Sequence, residues 1–233
     1  MATLTIVKPS IEGADGTDPS WSDLFRAGGI AAILFAFLSI ADAVVVFILP
    51  PPPSSGGAAT LEYIIANRPG YIIFQALLVG PVGLTLITFP ALYIALRHLN
   101  RSYAAIGSVI GVASVVLCLV PFSCVNGLVY LSYQYAAATD AQHATFASAA
   151  EGLLAQNNSV SVGGVLFALS ILVISIVMLK GVFSKWVAWL GIVSGGAGII
   201  CESLRPMIGA AFSIYGVVLI WLIAVGWKLY RLA

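Results

Sequence analysis

Five residues have chemistry that an apolar helix does not need: Asp42, Gln75, Asn126, Glu202 and Arg205. Each sits in or at the edge of a long hydrophobic run. An ionisable group at mid-bilayer costs about 2.5–3.5 kcal/mol on insertion scales, so each is a functional candidate by default. Asp42 is the clearest. It lies three residues after Ser39, beside a stripe of small residues formed by Gly29, Ala32, Ala36, Ser39 and Ala43. A helix turns once in about 3.6 residues, so this stripe and Asp42 face the bundle. Glu202 and Arg205 are three apart and share a helix face. Hydropathy puts Asp42, Gln75, Asn126 and Glu202 at similar depth, in the outer half of the membrane, with Arg205 following at the outer edge. One reading is a polar ligand pocket open to the outside, with Asp42 and Arg205 as counter-charges. The alternative is a set of structural hydrogen bonds plus an interfacial ion pair.

Other chemistry is thinly represented. His98 and His143 are the two histidines, and topology puts them on opposite sides, so they cannot share a metal or haem. No Gly-x-Ser-x-Gly, phosphate loop or Cys-x-x-Cys occurs. The expectation is therefore no metal, no cofactor and no catalytic residues. Cys118, Cys124 and Cys201 read as small packing residues, with a Cys124–Cys201 bridge as the alternative.

The elements that carry these residues follow from composition. Of 233 residues, 61% are hydrophobic and 8% charged, against roughly 25% charged in soluble domains. That charge is too small to coat a water-soluble enzyme. The net charge of +1 gives no basic patch for nucleic acid. Crossing about 30 Å of hydrocarbon takes about 20 apolar residues. Six runs qualify: 27–49, 71–95, 104–131, 160–179, 186–201 and 207–227. The fold class is all-α, a polytopic membrane bundle of six transmembrane helices, as one domain over residues 27–232. Residues 1–26 form a cytoplasmic tail. In it Ser20 caps a helix start and Trp21, Leu24 and Phe25 lie along the interface.

Orientation follows from lysine and arginine. With the N-terminus inside, Lys8, Arg26, Arg97, Arg101, Lys180, Lys185, Lys228 and Arg231 fall in inner segments, and only Arg68 and Arg205 fall outside. Both termini are thus cytoplasmic, in a cell inner membrane. Two outer segments are long. Residues 50–70 hold a proline run and a short helix over 60–66. Residues 133–158 form a helix on the membrane surface, with Phe146, Ala150, Leu153 and Leu154 as its apolar stripe.

Membrane helices associate through close backbone approach at small residues. Gly107 and Gly111, and Gly191 and Gly195 with Gly198, supply that spacing. They read first as internal seams and second as faces for a membrane-protein partner or a homo-oligomer. Pro81, Pro90 and Pro121 should kink their helices.

The segments 91–100 (ALYIALRHLN), 186–195 (WVAWLGIVSG) and 220–228 (IWLIAVGWK) resemble the domain-of-unknown-function 4386 family. The likeness spans about residues 27–232. It implies a six-span prokaryotic membrane protein and assigns no activity or catalytic residues. Three functions remain open: a non-enzymatic binding or complex-assembly subunit, then a small-solute or lipid carrier, then an intramembrane enzyme using Asp42 or Glu202.

Overall fold

The computed structural model describes residues 19–49, 52–53, 55–119, 122–181, 183–208 and 215–233. Lys8, the start of the proline run, and Pro121 lie outside them. The described residues are helical, with no strand among them. The α-helices are α1 (Ser22–Ile48), α2 (Gly57–Val79), α3 (Thr85–Leu96), α4 (Arg101–Leu119), α5 (Phe122–Ala137), α6 (Asp140–Asn157), α7 (Val162–Met178), α8 (Lys185–Ser203), α9 (Arg205–Ile208) and α10 (Tyr215–Tyr230). Five helical stretches are long and apolar enough to cross a membrane: Ser22–Val45, Gly57–Leu96, Arg101–Leu119, Asp140–Met178 and Lys185–Ser203. A shorter apolar helix covers Gly216–Tyr230.

Two cores hold these helices. The main one joins α1, α3, α4, α7, α8 and α10, and its fully buried side chains include Leu92, Ile171, Ile174 and Trp221. Its rim is apolar and open, as at Phe37, Val109 and Val193, which suits contact with lipid. The second core joins α2, α5 and α6 through Leu61, Ile64, Tyr71, Leu128, Ala150 and Leu154.

This second core corrects two expectations. The stripe of α6 packs on protein and not on the membrane surface: Ala150 and Leu154 are buried, with Phe146 and Leu153 against them. The short helix over 60–66 is the first part of α2, which runs on through Pro69 with a kink at Asn67 (φ −123°, ψ 26°). Pro69 has no N–H to offer the helix, so the ladder breaks there. The Gly57–Leu96 run has 40 residues. At about 1.5 Å per residue it would reach about 60 Å, twice the hydrocarbon thickness. Its first part therefore belongs to a cap with α5 and α6. The cap is tied by charge: Glu151 Oε2 accepts from the backbone N–H groups of Gly56 (3.0 Å) and Gly57 (2.6 Å) at the start of α2, where the helix dipole favours an anion. Gly56 takes φ +88°, open to glycine at little cost.

The segment expected to cross as 104–131 is two elements, α4 and α5, which belong to different cores. At the N-terminus, α1 begins at Ser22 with Trp21 in the cap position and no side-chain cap bond there. Phe25 is buried, and Trp21 and Leu24 pack on the main core. Phe25 is thus turned inward, while Trp21 and Leu24 stay partly exposed.

Helix contacts are made at glycine. A Cβ on Gly29 would fall 2.7 Å from the Gly226 carbonyl oxygen, and one on Gly226 the same distance from the Gly29 oxygen, so α1 and α10 cross backbone to backbone. Gly107 meets Ile174, Gly111 meets the Phe89 ring, and Gly195 meets the α7 backbone at Ala168 and Leu172. All of these seams are filled from within the chain. Hydroxyls add bonds between helices: Thr88 donates to Gly28 O (3.2 Å), Ser108 to Phe89 O (2.7 Å) and Ser170 to Gly107 O (2.7 Å). Both described chain ends meet, with Ser22 Oγ donating to Ala233 O at 2.7 Å.

At Gly191 the space for a Cβ is already taken by Ser175 Oγ and Trp221 Nε1. Both atoms are buried and have no hydrogen-bond partner. Gly191→Ala should therefore lower the thermal midpoint of the detergent-purified protein by several degrees, a cost of about 1–3 kcal/mol for overpacking. Adding Ser175→Ala should recover part of it, and a strictly additive double variant would refute this packing. For the cap, Glu151→Ala should speed hydrogen exchange at residues 57–60 about tenfold, because a cap is worth about 1 kcal/mol, while α7 and α8 stay protected.

Candidate functional site

The five polar residues separate into two groups and one isolated position. The first group lies between α1 and α2. Gly28 meets Ala91, and the Leu49 side chain meets Gly70. These contacts set an antiparallel register for α1 against α2 and α3, in which Asp42 falls opposite Leu77, with Gln75 about half a turn away. Asp42 and Gln75 are both half-buried. Asp42 Oδ1 and Gln75 Oε1 are each buried with no hydrogen-bond partner. The Gln75 amide lies against the Tyr71 hydroxyl. Along its own face of α1, Asp42 is flanked by the half-buried Leu38, Ser39 and Val45, while Ile40 and Val44 are exposed on the opposite side of the helix. Two acceptor oxygens, on helices that pack together, are thus each without a partner within the chain. A buried acceptor left unmade costs about 1–3 kcal/mol. A group with an N–H donor or positive charge would satisfy either one.

The backbone beyond Gln75 is irregular. Between α2 and α3 the helix tightens to a 3₁₀ turn over Gly80–Leu84, set off by Pro81, and it packs on α1. Thr85 Oγ1 donates to Val82 O (2.6 Å) within the break. Pro81 thus interrupts its helix as its position in the sequence predicts.

The second group lies where α7 begins and α8 ends. Glu202 is 4% exposed, and its Oε2 accepts from Arg205 Nη1 at 3.3 Å. A Cβ on Gly164 would fall 2.8 Å from Glu202 Cδ and 2.9 Å from Oε2. The carboxylate therefore rests on the first turn of α7, at the positive end of the helix. Ser161 caps that helix, accepting from Gly164 N–H at 3.0 Å. Cys118 closes the far side, its Sγ 2.7 Å from where a Gly163 Cβ would stand. This group is internally satisfied at its carboxylate. Arg205 is committed to Glu202, and Asp42 lies on a different helix pair. Arg205 Nε has no partner.

Asn126 is exposed on α5, which packs on α2 and α6. Cys118 and Cys201 are free thiols, so Cys201 forms no bridge; the Cys124 side chain is outside the described ones. Among the described residues, no three His, Cys, Asp or Glu side chains gather closely enough to hold a metal.

Several partners were not evident from the sequence. Gly164, in the turn capped by Ser161, receives Glu202, and Glu151 receives Gly56 and Gly57. A serine followed by two glycines at a helix start was the available signal for the first. The pair Gly56-Gly57 was the signal for the second. Neither names the distant carboxylate that fills it. Comparison of the chain with known families, characterised proteins and solved structures returns no match.

Glu202→Ala leaves Arg205 without its counter-charge and α7 without its anion. It should cost about 2–3 kcal/mol, read as a lower melting temperature in mild detergent. Arg205→Gln should cost less, because Glu202 keeps the α7 terminus. Equal losses for the two variants would refute the helix-end role.

Proposed function

We propose that this chain is a six-span protein of the cytoplasmic membrane with both termini inside, acting as a non-enzymatic binding or assembly subunit. The contact between Ser22 and Ala233 supports an even number of crossings. The lysine and arginine bias supports the cytoplasmic side for those ends. The resemblance to the domain-of-unknown-function 4386 family agrees with six spans and adds no activity.

The observation that carries the reading is that Asp42 Oδ1 on α1 and Gln75 Oε1 on the adjoining α2 are both buried without a hydrogen-bond partner. Lipid offers no donor there. A donor-bearing, positively charged group from a partner helix satisfies and neutralises Asp42. Such a group gains more in hydrocarbon than in water because the local dielectric is low. A second reading, a carrier for a small cation or amine, is favoured by the Gly80–Leu84 break. Irregular backbone at membrane depth characteristically lines a path for solute.

Native mass spectrometry of the full chain from gentle detergent tests the first reading. The expected result is a stoichiometric partner or second copy bound to the wild type and lost in Asp42→Asn, with the melting temperature unchanged or raised. A bare monomer in both proteins overturns assembly. For the carrier, proteoliposomes should take up a monovalent cation or primary amine at least tenfold faster with the wild type than with Asp42→Asn. Equal uptake overturns that reading.

A further inference from the structure

The end of the bundle away from the cap holds a groove that the polar groups above do not touch. It lies between the start of α8 and the end of α10 and encloses about 600 Å³, within the range of about 300–1,000 Å³ usual for ligand sites. Its floor is apolar: Phe183 is 5% exposed, and Ile223 and Val187 line the slot. Two half-exposed indoles, Trp186 and Trp227, form its sides. Its mouth carries Lys228 and Arg231, and no carboxylate is among the described residues lining it. Arg231 is held over the Trp227 ring at 4.9 Å, so one cation is positioned by stacking and not by an acid.

We propose that this groove binds one anionic phospholipid, with an acyl chain along the apolar slot and the phosphate at Lys228 and Arg231. The charge pattern chooses this occupant. An apolar helix from a protein would cover the slot but leave two cations at its mouth without counter-charge. A zwitterionic lipid would bring its own cation to the same point. A lipid with net negative charge satisfies the slot and the rim together. Tryptophan at the side walls fits the headgroup level, where an amphipathic ring is most stable, and each basic residue adds attraction to an anionic headgroup. The groove is distant in sequence and in the fold from Asp42 and Gln75, so it stands or falls separately from the assembly reading.

The test uses the full chain in nanodiscs of either phosphatidylglycerol or phosphatidylcholine, followed by native mass spectrometry after transfer to mild detergent. The expected result is one retained phosphatidylglycerol per chain and little retained phosphatidylcholine. The double variant Lys228→Gln/Arg231→Gln should lower retention by roughly tenfold or more. Ile223→Trp keeps both cations but fills the slot, and it should also release the lipid. A circular-dichroism melt like that of wild type establishes that each variant is folded, and either variant alone suffices if the other is not. Equal retention of the two lipids overturns the proposal. So does retention unchanged in a folded variant, or loss in the charge variant but not in Ile223→Trp, which would mark a headgroup contact without the chain site.

Discussion

Where α1 crosses α10, the carbonyl oxygens of Gly29 and Gly226 each occupy the place a side chain would need on the other. The rest of the bundle hangs on contacts of this kind. Lipid tails are as apolar as leucine, so burying leucine against leucine gains little in a membrane. What gains is close backbone approach, and only glycine, alanine and serine permit it. Gly191 shows the limit: Ser175 and Trp221 fill its missing side chain, leaving two buried polar atoms unpaired. Shape has been satisfied there at the expense of hydrogen bonding.

Most polar atoms in the main core follow the opposite rule. Thr88, Ser108 and Ser170 each donate to a carbonyl of a neighbouring helix. Glu202 is buried yet neutralised twice, by Arg205 and by the first turn of α7. Against that background the unpaired oxygens of Asp42 and Gln75 stand out. A structural carboxylate would be expected to look like Glu202. Asp42 does not: one of its oxygens is buried and unpartnered.

Much of the architecture was legible because membrane burial is a coarse, local property. The apolar runs around α1, α7 and α8 announced themselves by length, and Glu202 and Arg205 by their spacing of three. The stripe Phe146, Ala150, Leu153 and Leu154 was also read correctly as one apolar face of a helix. Its partner was not, because periodicity states that a face is buried and not whether lipid or protein buries it. The 104–131 run looked like one span for a related reason: hydropathy is blind to the fact that α4 and α5 serve different cores.

The amino-acid order alone determined that this is a greasy helical chain, where its apolar runs lie, and which few side chains are too polar for their surroundings. Those are properties of composition and of a 3.6-residue period, and neighbours in sequence suffice to define them. Tertiary structure decided that α2, α5 and α6 make a cap with its own core, that Glu202 seats on Gly164, and that α1 packs against α10 at Gly29 and Gly226. Each of these joins residues that are far apart in sequence. Such pairings depend on which backbones can approach closely, and that is settled only when all the glycine contacts are made at once.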